Sequence, residues 1–456
     1  MLTSHSPIDG HLVASLPEHD DDEVGRRLDA ARAAQHAHAR LPVERRVEPL
    51  RRLATELRRR AVPLAHLAAV EMGRPVAQGR AEVEKCAATC ELVADRAPAW
   101  LAPEVVATEA RACWVEPAPL GLVLGLMPWN FPYWQVVRAA VGALAAGNAL
   151  AFKHDEHTPL CALALADALA AAGLGGLVPW LAIDRTRAAR WIADDRVDAV
   201  TLTGSTRAGR LVAAAAGAAL KPCVLELGGS DPFVVLHDAE LGPAIAAAAR
   251  SRLINGGQSC VAAKRFVVVD GLHDRFVAGL AAALGAARVG DPRDMGTDIG
   301  PLARPDLAEA LRDQVIRGLG AGARLVSGVP APDPRGPCWV APMLLTDVAP
   351  GNPVFDEETF GPVAAVVRAA DDEAAFALAA ATRFALGASV WTAPARALEV
   401  AREAATRLRA GTLAINDIVK SDARLPFGGA GWSGWGVELG REGVRALTSP
   451  RTVWVA

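Results

Sequence analysis

The spacing of apolar residues differs between the N-terminal part of the chain and the rest. Residues 20–23 (Asp-Asp-Asp-Glu) supply an N-cap and an acidic first turn for a helix that runs towards Arg40. After Pro42, four leucines keep roughly helical spacing and predict a second, arginine-rich helix: Leu50, Leu53, Leu57 and Leu64. We therefore expect the N-terminal part to be mainly helical.

From Leu120 onwards, short apolar runs alternate with alanine-rich helical segments. Five runs are predicted to be strands, at residues 120–127, 149–153, 177–183, 197–203 and 223–227. Strands that alternate with helices in this way predict βαβ units and a largely parallel, doubly wound sheet. After Pro232 we expect a second α/β region with strands at 266–269 and 363–367. The alternation of polar and apolar residues at 451–455 predicts a last strand. Such a strand can be added to the edge of a sheet or be exchanged between chains.

Residues 117–137 carry no charge and are numerous enough to span a membrane. Gly121, Gly125, Pro128 and Pro132 interrupt the stretch, and in lipid they would leave backbone groups unpaired. The stretch is therefore predicted to form a buried strand, a loop and a buried helix.

The composition limits the class of protein. A length of 456 residues predicts two or three domains, and 52% apolar residues allow each domain to bury a core. The net charge of −3 argues against a nucleic-acid partner or a polybasic membrane partner. No signal peptide is visible after Met1, and the seven irregularly spaced cysteines do not indicate a disulfide framework. We therefore expect a reduced, cytoplasmic protein.

Two segments combine reactive or phosphate-binding groups with glycines. The Thr-Gly-Ser segment at 203–205 follows a predicted strand and opens a helix that contains Gly209. This arrangement suits a pyrophosphate, although Ser and Thr at such a place also serve as ordinary N-caps. Cys260 lies in a polar, glycine-containing turn, which suits either a nucleophilic cysteine or a structural thiol.

Three further polar positions allow a structural and a functional interpretation. Glu226 ends an apolar strand beside two glycines, where a carboxylate needs a salt-bridge partner or a catalytic function. Asn130 offers an amide donor in a proline-stiffened loop, or serves as a turn residue. The His-Asp-Glu-His segment at 154–157 lacks the ligand spacing of a zinc-binding helix, so no metal site is predicted.

Together, these segments resemble the aldehyde dehydrogenase superfamily over nearly the whole chain. Seven motifs stand in that family's order and at its spacing: Pro-Trp-Asn-Phe-Pro at 128–132, Lys153 with Glu156, Thr-Gly-Ser at 203–205, Glu-Leu-Gly-Gly at 226–229, Gly-Gln-Ser-Cys at 257–260, Glu-Thr-Phe-Gly-Pro at 358–362 and Pro-Phe-Gly-Gly at 426–429. Within the superfamily, residues 127–138, 225–233 and 421–424 are most similar to the short bacterial succinate-semialdehyde dehydrogenases.

The resemblance implies a three-part α/β architecture. A Rossmann-like, doubly wound dinucleotide-binding domain is expected at 1–96 and 118–231, and an α/β catalytic domain at 232–425. A small oligomerisation element is expected at 97–117 and 440–456, which implies a homo-oligomer, either a dimer or a tetramer. Gly431 and Val437 stand where the family commonly has lysine and arginine, while Glu438 is retained, so the departures concern the C-terminal structural region.

The resemblance also assigns the catalytic residues. Cys260 is expected to attack the aldehyde carbon, and the Asn130 amide and the backbone N–H of Cys260 to stabilise the oxyanion, at about 3 kcal/mol per donor. Hydride transfer to the nicotinamide then leaves a thioester, which water activated by Glu226 hydrolyses. Relatives that transfer the acyl group to coenzyme A or reduce an acyl phosphate do without this base. Glu226 therefore favours an acid-forming enzyme.

The expected cofactor is NAD, with NADP as the alternative. Lys153 and Glu156 are expected at the adenosine ribose, Ser205 at the pyrophosphate, and Glu358 with Phe360 at the nicotinamide end. Because a carboxylate repels a 2′-phosphate, Glu156 favours NAD. The full predicted set of cofactor-binding residues is Trp129, Lys153, Glu156, Gly204, Ser205, Gly209, Leu227, Glu358 and Phe360.

The expected substrate is succinate semialdehyde. One alternative is another small aliphatic or aromatic aldehyde, and another is a non-catalytic binding protein with this fold. Arg138 has uncharged flanks, so we expect it to be buried and to need an anionic partner. That partner is a protein carboxylate or, as the resemblance implies, the substrate carboxylate. Arg424, before the Pro-Phe-Gly-Gly motif, is the second substrate-binding candidate. Trp134 is a candidate for the aromatic lining of the substrate tunnel, together with Trp432 and Trp435.

Overall fold

Helices and strands alternate along most of the chain in the computed structural model, which describes residues 1–456. The strands are β1 (Leu2–His5), β2 (Leu12–Leu16), β3 (Glu104–Val105), β4 (Ala112–Pro119), β5 (Leu122–Leu126), β6 (Ala149–Lys153), β7 (Ala199–Thr203), β8 (Cys223–Glu226), β9 (Pro232–Val235), β10 (Arg265–Val269), β11 (Arg324–Ser327), β12 (Met343–Thr346), β13 (Val363–Ala369), β14 (Phe384–Ala385), β15 (Gly387–Trp391), β16 (Thr412–Ile415), β17 (Ala430–Gly431), β18 (Gly434–Trp435) and β19 (Thr448–Val455). The helices are α1 (Asp21–Ala39), α2 (Val43–Arg59), α3 (Ala61–Met72), α4 (Val76–Trp100), α5 (Trp134–Ala146), α6 (Pro159–Ala171), α7 (Arg185–Ile192), α8 (Thr206–Ala218), α9 (Leu241–Leu253), α10 (Asp270–Gly285), α11 (Pro305–Gly320), α12 (Pro353–Asp356), α13 (Asp372–Ala380), α14 (Ala397–Arg407) and α15 (Gly440–Arg445).

The first large sheet has five strands in the order β18-β8-β7-β5-β6, and all except β18 run parallel. The chain passes from β5 outwards to β6 and then returns to the other side of β5 with β7. In an open α/β sheet, the carboxyl ends of two strands at such a switch point form the usual ligand crevice. The predicted α/β class with a doubly wound sheet is confirmed.

One predicted strand of this sheet is wrong. Residues 177–183 form only an isolated bridge, between Phe152 and Trp180. The segment does lie beside β6, because the carbonyls of Leu177 and Pro179 accept hydrogen bonds from β6. Since Pro179 has no N–H to donate, the ladder does not continue along the segment. The predicted arginine-rich helix is likewise divided at Arg60 into α2 and α3, so that Leu64 lies in α3.

The second large sheet has seven strands in the order β11-β12-β13-β10-β9-β15-β16, and only β11 is antiparallel to its neighbour. Residues 227–231 connect β8 of the first sheet directly to β9 of the second. The carboxyl edge of the first sheet therefore leads into the amino edge of the second. The turn that carries Cys260 precedes β10 and lies at this same amino edge.

The uncharged stretch at 117–137 forms the end of β4, all of β5, a loop and the start of α5. Every residue of α5 is buried, including the polar Gln135 and Arg138. None of the helices combines the length and the apolar character that crossing a membrane requires.

A third sheet joins the two chain segments of the predicted oligomerisation element, 97–117 and 440–456. Its order is β19-β4-β3, with β19 paired to β4 along eight antiparallel positions, from Thr448 to Val455. The predicted last strand is therefore present, and it begins three residues earlier than expected. All seven cysteines are unpaired.

Candidate active site

Cys260 lies in the tight turn between α9 and β10. Asn255, Gly256 and Gly257 have positive φ angles of 51°, 61° and 77°. A Cβ on Gly257 would collide with the carbonyl of Gly361, so the turn requires glycine at this position. On its other side the turn approaches the segment after β8, where a Cβ on Gly229 would lie 2.7 Å from the Cys260 carbonyl oxygen.

The Cys260 thiol is a weak acid in this setting. Burial raises its pKa to about 11, and the positive charges of Lys264 and Arg138 oppose the rise. The buried Lys264 donates from Nζ to the carbonyl oxygens of Ser259 (3.1 Å) and Cys260 (2.6 Å), which fixes the turn. At neutral pH the resting thiol therefore keeps its proton, and its attack on a carbonyl requires a base.

Asn130 follows β5 and contacts the Cys260 turn. Its side-chain Nδ2 donates to the backbone carbonyl oxygen of Gln258 (3.1 Å), and its backbone carbonyl oxygen accepts from Nδ2 of Asn255 (2.7 Å). Asn130 is buried, and its Oδ1 has no hydrogen-bond partner in the protein. The two predicted oxyanion donors therefore stand on segments that are hydrogen-bonded directly to each other.

A row of polar residues that the sequence analysis missed holds both segments. Arg74, Gln78 and Glu82 are spaced four residues apart around the start of α4, which places them along one face; we call them the α4 polar row. Each makes hydrogen bonds to the backbone of a candidate-site segment. Arg74 Nη1 donates to the Asn130 carbonyl oxygen (3.1 Å), and Gln78 Oε1 accepts the Asn255 N–H (2.9 Å). Glu82 Oε1 accepts the N–H groups of Tyr133 (3.0 Å) and Trp134 (2.8 Å). The four-residue spacing is visible in the sequence, but nothing there shows that this face is buried.

Glu226 ends β8 with its side chain pointing into the protein. It is only 3% exposed, and its Oε1 has no hydrogen-bond partner. Burial raises the pKa of Glu226 well above that of an ordinary glutamate; the Arg138 guanidinium opposes the rise, and the Glu438 carboxylate adds to it. A Cβ on Gly428 would lie 3.1 Å from Oε1, so glycine leaves space in front of this oxygen. A carboxylate in this environment is equipped to accept a proton.

Arg138 is buried on α5, as predicted, and it has a protein carboxylate as its partner. Its Nε pairs with Glu438, and its Nη2 donates to Thr203 Oγ1 (3.1 Å). Thr201 Oγ1 donates to the other oxygen of Glu438 (3.2 Å), and the ring of Phe427 lies 5.2 Å from the guanidinium carbon. The burial of Arg138 is thus explained without a ligand, and its contact with the substrate stays a prediction.

Arg424, the second substrate-binding candidate, lies on the surface. Its side chain is 74% exposed and makes two hydrogen bonds to Asp422, from Nε to Oδ1 (2.8 Å) and from Nη2 to Oδ2 (2.5 Å). An exposed guanidinium that is already paired gains little from a second carboxylate. Arg424 is therefore the weaker of the two candidates.

The predicted adenosine-side residues lie at the carboxyl ends of the strands next to the switch point. At the end of β6, Nζ of Lys153 is 3.6 Å from Oε2 of Glu156, and the same oxygen accepts the backbone N–H of Arg185 (3.1 Å). The Arg185 side chain approaches the other oxygen of Glu156, at 3.7 Å. Glu156 therefore stands between two cations, which the sequence analysis did not foresee.

The predicted phosphate-binding segment forms the start of α8 at the end of β7. Ser205 is the N-cap, and its Oγ accepts the Ala208 N–H (3.2 Å). A Cβ on Gly209 would collide with Leu227, so glycine lets α8 pack closely against the segment after β8. A helix start at the switch point provides backbone N–H groups to an anion, so these residues fit the pyrophosphate of a dinucleotide.

The predicted nicotinamide-side residues are close to the catalytic segments. Oε1 of Glu358 accepts the Gly229 N–H (3.0 Å) and lies 3.6 Å from Nζ of Lys264. A Cβ on Gly228 would collide with the Glu358 carboxylate, so glycine at this position leaves the space that Glu358 occupies. The rings of Trp129 and Phe360 stand perpendicular, with centroids 5.9 Å apart.

Of the three tryptophan candidates for the substrate tunnel, only Trp134 is buried. It begins α5, four residues after Asn130. Trp432 stacks edge-on against Phe384, and Trp435 is half exposed.

Comparison with known proteins shows similarity over the full length. The model of the aldehyde dehydrogenase family matches residues 1–453. A Synechocystis sp. protein named "Probable succinate-semialdehyde dehydrogenase", with NADP(+) in its name, is 43% identical over 100% of both chains. An Escherichia coli (strain K12) succinate semialdehyde dehydrogenase, with NAD(P)+ in its name, is 41% identical over 99% of this chain and 97% of its own. The solved structure of succinic semialdehyde dehydrogenase from Streptococcus pyogenes in complex with NADP+ is 30% identical, with a TM-score of 0.95 and 99% of each chain covered.

Proposed function

Because the chain belongs to the aldehyde dehydrogenase family, we propose that it oxidises succinate semialdehyde to succinate with NAD(P)+ as the hydride acceptor. The observation that carries the proposal is the placement of Cys260, Asn130 and Glu226 where the carboxyl edge of one sheet leads into the amino edge of the other. The names of the relatives support the choice of aldehyde and of a nicotinamide dinucleotide, with NADP+ in all three names and NAD+ in one. Another small aldehyde is the alternative substrate.

The proposed chemistry assigns one task to each side chain. The Cys260 sulfur bonds to the aldehyde carbon, and its proton passes to a base, since burial keeps the resting thiol protonated. The Asn130 amide and the Cys260 N–H stabilise the oxyanion. NAD(P)+, held by Lys153, Ser205 and Glu358, supplies the hydride acceptor when it is bound.

Glu226 completes the reaction at the thioester on Cys260. It takes a proton from water, and the hydroxide adds to the acyl carbon. The carbon–sulfur bond then breaks to release the acid, and the proton held by Glu226 passes to the sulfur, which restores the thiol and the carboxylate. The free Oε1 and the raised pKa of Glu226 suit this proton transfer.

The direct test is an aldehyde panel with NAD+ and NADP+, followed by absorbance in the reduced-nicotinamide band. The panel contains succinate semialdehyde, uncharged butyraldehyde of the same chain length, and benzaldehyde. We expect the highest kcat/KM for succinate semialdehyde. A higher kcat/KM for butyraldehyde or benzaldehyde would replace the proposed substrate, and no turnover with any aldehyde would leave a non-catalytic binding protein.

Glu156 is expected to make NAD+ the preferred cofactor, because its carboxylate accepts the ribose 2′-hydroxyl and repels a 2′-phosphate. Glu156→Gln should raise kcat/KM for NADP+ by about tenfold, since Lys153 and Arg185 are then free to bind the phosphate. The measurement is kcat/KM for both cofactors in the wild type and the variant. A wild-type enzyme that is as efficient with NADP+ as with NAD+ would contradict the assignment.

A homo-oligomer is proposed from the three-stranded sheet. Its outer strands, β3 and β19, expose apolar side chains, with Val105 87% and Trp454 51% exposed. Apolar groups on sheet edges are typical of surfaces that pair with another chain. Light scattering should therefore give about two or four times the mass of the 47.5 kDa chain. A monomer at micromolar concentration would contradict this.

A reducing, cytoplasmic setting remains part of the proposal. Its support is that all seven cysteines are unpaired and that the proposed nucleophile must be a free thiol.

A further inference from the structure

Lys85 on α4 is a largely buried cation without a carboxylate partner. Its Nζ donates to Ser421 Oγ (2.6 Å) and lies 4.2 Å from the centre of the Trp134 ring. Ser421 and Trp134 are both uncharged, so the positive charge of Lys85 has no ion-pair partner. Burial lowers the pKa of Lys85 to about 8, and the nearby Arg138 adds to the lowering. An ammonium in this state gains when an anion joins it.

Four other cations around the candidate site have carboxylate partners. These pairs are Arg74 with Glu82 (3.4 Å), Arg138 with Glu438, Lys264 with Glu358 (3.6 Å) and Arg424 with Asp422 (2.5 Å). Arg252, beside the Cys260 turn, also has no carboxylate partner, but it is fully buried and donates from Nη2 to the Gly257 carbonyl oxygen (2.7 Å). Lys85 is partly exposed and has no carboxylate partner, so it can be reached by an external anion.

The position of Lys85 connects it to the reacting residues. Trp134, beneath the ammonium, comes four residues after Asn130, and Ser421 begins the segment that leads to Gly428 in front of Glu226. The positive charge of Arg138 lowers the pKa of both Lys85 and the Cys260 thiol, so both groups lie within electrostatic reach of Arg138. Lys85 and Cys260 therefore share Arg138 as a neighbouring charge.

We propose that the Lys85 ammonium binds the distal carboxylate of the aldehyde substrate, with Ser421 and Trp134 holding the ammonium in place. This inference rests on the proposed function, because only a carboxylated aldehyde offers such an anion. The ammonium keeps two further N–H donors when one points at Ser421, and the Ser421 hydroxyl can donate its own hydrogen to the same carboxylate. An uncharged aldehyde leaves Lys85 as it is in the free protein and gains nothing from it.

The test compares Lys85→Met, which keeps the stem and removes the charge, with Lys85→Arg, which keeps the charge. Lys85→Met should lower kcat/KM for succinate semialdehyde about ten- to a hundredfold, mainly through KM, because one charge-assisted contact is lost. Its kcat/KM for butyraldehyde should stay within about twofold of wild type. Lys85→Arg should recover part of the lost efficiency. Lys420→Met is the matched control, since this lysine pairs with Asp417 at the surface, and it should leave both substrates unaffected.

A pH series on the wild type gives a second, mutation-free readout. The groups that face Lys85 are Glu82 and Cys86 on its own helix, Arg138 on α5 and Asp422 in the segment after β16. Arg138 stays charged, and burial holds the pKa of Cys86 well above its ordinary value. Deprotonation of Lys85 above about pH 8 should therefore raise KM for succinate semialdehyde but not for butyraldehyde. Lys85→Met should abolish this difference.

The outcomes separate this inference from the proposed function. If the wild type does not favour succinate semialdehyde over butyraldehyde, the proposed substrate fails and Lys85 has no carboxylate to bind. If the wild type does favour it and Lys85→Met keeps that preference, only the assignment of Lys85 is overturned. Equal losses with both aldehydes would show a structural role and overturn it too.

Arg138→Ala serves as the rival variant. It should lower turnover with both aldehydes, because it leaves Glu438 unpaired beside Glu226. A tenfold or greater loss confined to succinate semialdehyde in Arg138→Ala, with none in Lys85→Met, would assign the carboxylate to Arg138 and overturn the assignment to Lys85.

Discussion

Cys260→Ala is expected to lower aldehyde oxidation by at least about a thousandfold while leaving cofactor binding almost unchanged. In the proposed reaction only the sulfur forms the bond to the aldehyde, whereas Lys264 and Asn130 hold the turn through its backbone carbonyls. Removing the thiol therefore removes the chemistry without releasing the turn. Steady-state formation of reduced cofactor measures the first effect, and fluorescence titration with NADH measures the second.

Cys113→Ala is the control for this substitution, because Cys113 is a buried cysteine in β4, in the three-stranded sheet. It should keep wild-type turnover. Residual oxidation in Cys260→Ala at more than about a tenth of the wild-type rate would show that another group attacks the aldehyde.

Glu226→Gln is expected to slow hydrolysis of the thioester about a hundred- to ten-thousandfold, which is the usual contribution of a general base. An amide has nearly the size of the carboxylate but cannot accept the proton from water. Hydride transfer precedes this step, so a pre-steady-state burst of NADH should appear or grow. Stopped-flow absorbance resolves the burst from the slow steady state.

The wild-type pH profile tests the same residue. Because burial raises the pKa of Glu226, kcat should fall as the pH drops through that raised pKa, at a higher pH than an exposed glutamate would give. Glu240→Gln, an exposed glutamate before α9, should leave the burst and the profile unaffected. If the rate constant of hydride transfer in a single turnover falls as far as kcat does, Glu226 does not act in the hydrolysis of the thioester.

The parts of the site that could be predicted from sequence are those that follow strands. Glu226 ends β8, Asn130 follows β5, and the Thr203 segment ends β7. A parallel sheet brings the carboxyl ends of its strands to one edge, and these polar residues stand at that edge in the structure. The turn with Cys260 was recognisable because its glycines stand out from an apolar context. The strand at 177–183 failed because an apolar run shows burial but does not reveal whether its N–H groups find partners.

The contacts that tune the site could not be predicted. Arg138 and Glu438 lie far apart in sequence, and either residue alone is compatible with several partners. Lys85 stands among glutamates on α4, a pattern typical of a solvated helix face. Its burial depends on Trp134 and Ser421, which come from two other parts of the chain. Side-chain partners of this kind are determined by tertiary packing and leave no local period in the sequence.

The α4 polar row has a consequence for how activity is acquired during refolding. Arg74, Gln78 and Glu82 support the Asn130 and Cys260 segments from outside both sheets. The two predicted oxyanion donors therefore reach their native separation only when α4 has docked. Recovery of catalysis after dilution from denaturant should lag behind recovery of the far-ultraviolet circular dichroism signal.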